Sequence, residues 1–159
     1  MGPEADLVEP RLARGSRCLA VMIDGSVAGY GWLSTGPEWI GEIKLEISPR
    51  PGEGYIWNCA TVAAHRRRGV FRSVIVGISE AARREGLRRL WIGSVAIPAE
   101  KAVGPSGFRP ALRFAGVNFA GLQALRVQSA SDAALMQDAA RVLGVLPGLY
   151  VRRYRRRRH

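Results

Sequence analysis

Cysteine, lysine and uninterrupted apolar stretches are what this sequence has least of. Cys18 and Cys59 are the only cysteines among 159 residues, too few for a disulfide framework or a complete metal site, so they read as free thiols and no metal is expected. No apolar run approaches the ~20 residues that a membrane-spanning helix needs, so no membrane span is expected. The opening Met1-Gly2-Pro3-Glu4-Ala5-Asp6 is acidic, unlike a secretory signal or a transit peptide, and a cytoplasmic location is expected. Internal repeats are absent, and the single low-complexity segment is the arginine-rich end. What is present, 47% apolar and 23% charged residues, is the composition of a soluble globular domain rather than of a disordered or fibrous chain.

Acid is scarce as well, and unevenly so. The formal net charge of +11 is concentrated in two places. Between His65 and Arg89 stand eight arginines against Glu80 and Glu85, and Arg152 to Arg158 adds six arginines and no acid. The rest of the chain is nearly neutral, so the protein is locally basic. A run such as the last one suits RNA, DNA or anionic lipid through counterion release.

Hydrophobic periodicity divides the chain into strand-like and helical parts. A short amphipathic helix is expected over residues 4–14, with Leu7, Val8 and Leu12 on its apolar side. Apolar residues from Cys18 to Ile23 and from Val27 to Leu33 flank Asp24-Gly25-Ser26, which predicts a hairpin. Strands are expected over Glu42 to Ile47 and, after the Pro- and Gly-rich turn at 49–54, over Tyr55 to Val62. Helical spacing of Val70, Val74, Ile75, Ile78, Ala81 and Ala82, with Gly86 at the C-cap, predicts a helix from about Val70 to Arg84. Leu87 to Val95 reads as a buried strand, and strand, helix, strand makes a crossover unit. Ala111 to Phe114 and Phe119 to Val127 are expected as two closing strands, and Ser131-Asp132 caps a further helix. Trp32, Trp39, Trp57 and Trp91 are expected in the sheet core.

The segment Arg66-Arg67-Arg68-Gly69-Val70-Phe71 lies between an expected strand and the start of the long helix. A glycine turn into a helix leaves backbone N–H groups unpaired and pointing one way, and the helix dipole adds positive potential there. That geometry suits a phosphate or pyrophosphate. The segment is neither a Walker loop nor the three-glycine dinucleotide fingerprint.

Arg66-x-x-Gly69-x-Phe71 resembles the Q/R-x-x-G-x-G/A signature of the GNAT superfamily of acyl-CoA-dependent N-acyltransferases, with an aromatic residue in the last place. Trp57 to Val62 resembles the strand before that signature, Leu90 to Val95 the strand after it, and Ser106-Gly107-Phe108-Arg109-Pro110 the following Gly-Phe turn. The resemblance covers roughly Arg17 to Phe114. It implies an α/β (α+β) fold, a mixed and mostly antiparallel sheet with a central pyrophosphate-binding helix, and acetyl-CoA as co-substrate. Cys59, Ala60 and Thr61 would then pair through their backbone with the acyl and pantetheine part, and Arg66, Arg67, Arg68, Gly69, Val70 and Phe71 would hold the pyrophosphate. The implied activity is transfer of an acetyl group to an amine acceptor by direct attack. Splayed parallel strands expose N–H groups that polarise a thioester carbonyl.

The chain departs from the family pattern in three respects. Fewer than twenty residues precede Cys18, so the family's opening strand and much of its helical pair are unmatched; a shortened chain or a homodimer sharing strands would account for that. Val103 stands where many members place a tyrosine as general acid, and Ala96 where an asparagine is expected. Pro98 and Pro105 disturb the helix expected there. With a period of two, Glu53, Tyr55, Trp57, Cys59 and Thr61 fall on one strand face, and Glu53 and Tyr55 are the candidates for activating the amine, as base and as acid or relay. The expected organisation is a GNAT-like domain over 1–127, a helical extension over 128–150 and an arginine-rich tail over 151–159. Competing readings are a catalytically weakened module that binds CoA or polyanions without turnover, and a basic nucleic-acid-binding protein.

Overall fold

Asp24 and Gly25 both take positive φ, 50° and 76°, the geometry of a two-residue hairpin turn. They join β1 (Arg17–Ile23) to β2 (Ser26–Ser34) in the hairpin that the sequence predicts. The computed structural model describes residues 2–94 and 101–153. The chain divides into two units, residues 1–38 with 47–108 and residues 39–46 with 109–159.

In the first unit a 3₁₀ segment, Gly2–Leu7, runs into α1 (Val8–Ala13), and the four-stranded sheet has the order β1, β2, β5 (Glu53–Thr61), β6 (Arg89–Ile92). β5 is antiparallel to β2, and β6 is parallel to β5. Between them α2 (Val70–Arg84) forms the crossover, so the sheet is mixed and mostly antiparallel, with one central helix. Gly86 at φ 81° ends α2: its N–H donates to Arg83 O and that of Leu87 to Ala82 O, at 3.0 Å each, which is the Schellman pattern.

The faces of this sheet are covered differently. Val70, Val74, Ile78 and Ala82 of α2 pack with Leu33 and Ile56. Glycines bring the helix close. A Cβ on Gly29 would stand 2.7 Å from Val70 Cγ1, and one on Gly31 would stand 2.7 Å from Cys59 Sγ and 2.9 Å from Ile78 Cδ1. On the other face Trp32 and Trp57 lie with ring centroids 5.9 Å apart. Arg11 sits over both rings, its guanidinium carbon 5.1 and 4.6 Å from their centroids. α1 therefore buries Arg11 and leaves Leu12 half exposed, where periodicity predicts Leu12 inward. A cation over two tryptophan faces, its aliphatic stem covering them, replaces the apolar contact.

The expected strand over Glu42 to Ile47 is shorter and is paired. β4 is Leu45–Ile47, and its partner β3 (Glu38–Ile40) precedes the turn that holds Glu42 to Lys44. Lys44 has φ 52°, which ends the alternation on which the longer strand rests.

In the second unit β7 (Leu112–Phe119), β8 (Leu122–Ser129) and β9 (Gly148–Arg153) form an antiparallel sheet in that order. β7 runs through Gly116 and Asn118 to a turn at Ala120-Gly121, longer than the expected strand ending at Phe114. Asp132 caps α3 (Ala133–Val142), its Oδ1 accepting from Leu135 N at 2.9 Å. The segment expected as helical extension over 128–150 and tail over 151–159 thus holds α3 and then a strand. Arg152 explains the difference. Its guanidinium donates to Gln123 Oε1 at 2.8 Å, Lys44 O at 3.1 Å and Gly144 O at 3.2 Å, so an arginine that reads as solvated tail is tied into the sheet. Tyr154 to His159, like Val95, Ala96 and Pro98, lie outside the described residues.

Candidate functional site

β5 is the strand on which the site rests, and it is not regular. Trp32 pairs with Trp57 and Tyr30 with Ala60, so β5 has one residue more than β2 between those pairs. Asn58, at φ 45°, takes up the excess as a bulge. Asparagine is among the few side chains that tolerate a left-handed backbone, which is the only local signal of the bulge in the sequence.

The bulge corrects the expected alignment of Glu53, Tyr55, Trp57, Cys59 and Thr61 on one face. Trp57 points toward Trp32 and Arg11, whereas Cys59 Sγ lies on the α2 side, against the Cα of Gly31 and near Val74 and Ile78. Burial among these apolar groups, with Cys18 adding to it, pushes the Cys59 thiol up to about 12. A neutral thiol is a poor nucleophile.

Beside the bulge the described pairing of the two parallel strands ends. Pairing of β5 with β6 runs from Glu53↔Arg89 to Ile56↔Ile92, and no further pair follows among the described residues. Cys59, Ala60 and Thr61 lie on the stretch of β5 beyond the last of these pairs. Among the described residues Thr61 Oγ1 is buried with no hydrogen-bond partner; the sequence singles out Thr61 for its backbone and not for this hydroxyl.

The strand then leads through a 3₁₀ turn, Ala63–His65, into Arg66 to Gly69. Arg67 and Gly69 have φ 61° and 78°. Gly69 is the N-cap of α2, no side chain caps the helix, and its first turn holds no acid. Among the described residues nothing beyond its chain neighbours stands within 4 Å of a Cβ built on Gly69. Arg66, Arg67 and Arg68 are exposed around it, and Arg68 Nη1 lies 3.3 Å from His65 Nδ1. N–H groups without a side-chain cap, the helix dipole and three cations give this end its anion-attracting field.

The two catalytic candidates lie elsewhere on the strand. Glu53 is buried at its start, where Oε2 accepts from Arg50 N at 3.1 Å and Oε1 stands 3.7 Å from Arg89 Nη1. Eight residues of extended chain, roughly 26 Å, separate Glu53 from Thr61. Tyr55 is buried, and its hydroxyl oxygen stands 2.5 Å from where a Cβ on Gly93 would be. Gly93 is the residue at which β6 has ended, so the Tyr55 hydroxyl lies closer to the end of the β5–β6 pairing than the Glu53 carboxylate does. Val103 is half-buried and Phe108 packs against the α2 core.

A buried polar chain backs Trp57. Its Nε1 donates to Ser34 Oγ at 2.8 Å, Ser34 and Ser16 share a hydrogen bond of 2.7 Å, and Ser16 donates to Glu38, which Arg14 holds through two nitrogens. Among the described residues no three His, Cys, Asp or Glu side chains gather as a metal group, and no helix is long and apolar enough to cross a membrane.

No curated protein matches the chain. An acetyltransferase of Bacillus subtilis, solved in complex with CoA, has the same fold with a TM-score of 0.54 at 22% identity over 70% of this chain. This chain spans 66% of that protein's length. An acetyltransferase of Trypanosoma brucei matches with a TM-score of 0.54 at 17% identity, over 72% of this chain and 77% of that one. Residues 3–104 match the model of the acetyltransferase (GNAT) family, a stretch that takes in α1, the strand with the bulge, the arginine-glycine turn and α2, and the chain belongs to that family.

Proposed function

We propose that this chain transfers an acetyl group from acetyl-CoA to an amine by direct attack. The observation that carries the reading is the continuity of three features: the bulge at Asn58, the end of the described β5–β6 pairing at Ile56↔Ile92, and the α2 end at Gly69, which no side chain caps. Pantetheine lies along β5 beyond the last of these pairs, its amides pairing with the backbone of Cys59, Ala60 and Thr61. The pyrophosphate sits on the turn from Arg66 to Phe71. Backbone N–H groups near the bulge stabilise the oxyanion as the amine nitrogen bonds to the thioester carbon. Collapse of the tetrahedral intermediate breaks the C–S bond and releases CoA thiolate, which takes up a proton.

Of the two candidates for handling the amine's proton, Tyr55 is the better placed. Glu53 has its carboxylate engaged by Arg50 N and Arg89 and holds the start of β5. Replacing Tyr55 with Phe lowers kcat by about a hundredfold with acetyl-CoA affinity unchanged, and release of free thiol with a panel of amines reads it. Val103 favours a second reading, a module that binds CoA without turnover. Saturable acetyl-CoA binding with no thiol release beyond hydrolysis for any amine would select it.

A further inference from the structure

We propose that the outer face of the β7-β8-β9 sheet is a docking surface for an anionic lipid bilayer. The inner face of this sheet buries Gln123, Leu125 and Val127. Alternation puts the intervening residues on the other side, and there the side chains are apolar and bare: Val117 is 71% exposed, Phe119 80%, Leu149 78% and Val151 63%, with Leu122 at 42%. Register makes them one patch, because Phe119 stands opposite Leu122, and Val117 and Val151 flank Ala124 from its two sides. Isolated apolar side chains are ordinary on a surface; five gathered on three neighbouring strands are not.

The charge around the patch selects the occupant. Arg126 and Arg153 fall on the same face by the same register. Neither Arg109 to Ser131 nor Ala139 to His159 contains an acid, and the sequence beyond Arg153 adds four more arginines. A second copy docked face to face would set these arginines against one another with no carboxylate between them. A nucleic acid would take the arginines and leave Phe119, Leu149 and Val151 in water. A leaflet with anionic headgroups satisfies both kinds of side chain, the apolar ones entering the headgroup–acyl boundary and the arginines meeting phosphate. Each arginine held near such a leaflet strengthens binding by a factor of about five at moderate salt.

Flotation of the full chain with phosphatidylcholine vesicles, with and without phosphatidylglycerol, tests this. Association with the phosphatidylglycerol vesicles alone is expected, weakened by salt, and weakened at least about tenfold in the double variant Phe119→Ser, Leu149→Ser, since both side chains would leave the boundary region. Acetyl-CoA titration of the same variant should be unchanged. If the double variant does not fold, Val117→Thr keeps the strand-favouring branched shape and should still weaken vesicle binding measurably. Unaltered vesicle binding in these variants would overturn the proposal in favour of the arginine run acting alone. So would tight binding of an RNA homopolymer with no vesicle binding, or a dimer in solution that the double variant dissociates.

Discussion

The two larger of the three sheets among the described residues are built from similar strands and solve the problem of a sheet's second face in opposite ways. In the first unit α2 lies close on one face because Gly29 and Gly31 have no side chain, and on the other Arg11 covers Trp32 and Trp57. In the second unit Leu125 and Val127 are buried on one face, and the other bears Phe119, Leu149 and Val151 in the open. Antiparallel sheets tolerate one solvated face, and that face is usually polar. A face that is covered constrains every residue on it, down to the absence of a Cβ. A bare apolar face contributes little to folding and is free to serve an interaction.

Substitutions that challenge this contrast fall in a clear order. Gly31→Val should destabilise most, by about 3 kcal/mol, because a Cβ there meets Cys59, Val74 and Ile78 at 2.7 to 2.9 Å; urea denaturation reads it. Gln123→Leu should cost about 2 kcal/mol, since it strips a partner from Ile43 O and from Arg152 within the second unit. Trp57→Phe keeps the ring over Arg11 but removes the donor to Ser34, for about 1 kcal/mol. Phe119→Ser should stay within about 0.5 kcal/mol in the same assay. A large loss there would mean that the outer face belongs to the folding core and that the contrast is mistaken.

The smallest effect is a pH dependence. Backbone N–H groups at the start of α3, Leu135 first, hold the Asp132 carboxyl below its ordinary value. A lowered folded-state pKa means that its contribution is present above the ordinary carboxylate range and is lost as pH falls through the folded value. Asp132→Asn should flatten that acid limb slightly in thermal melts taken at falling pH.

How far these features were legible in the sequence depends on whether the signal was local. Asp24-Gly25 marks a hairpin with no help from the rest of the chain, and so do the spacing of α2 and Gly86 at its end. The arginine-glycine turn is legible for the same reason, because Gly69 and the helix after it are contiguous. β9 was not, since its arginines read as solvated tail until Gln123 and two carbonyls are seen to hold Arg152. That strand also means that a chain cut at Tyr150 would lose half of β9, so binding is best measured on the full chain. The bulge at Asn58 was hidden because it depends on how β2 and β5 register, and with it went the face on which Cys59 lies. Periodicity alone puts Leu12 on the apolar side of α1 and cannot see the two tryptophans over which Arg11 packs instead.

The central claim is that the turn at Gly69 holds the pyrophosphate of acetyl-CoA at the end of β5, and calorimetric titration of acetyl-CoA into the full chain and into Gly69→Asp tests it most directly. The substitution forces an unfavourable side chain onto φ 78° and sets a carboxylate beside the pyrophosphate. One saturable site in the unaltered chain, weakened on the order of a hundredfold or more in the variant, is the predicted result. Equal affinity of the two proteins, each shown to be folded, would contradict it.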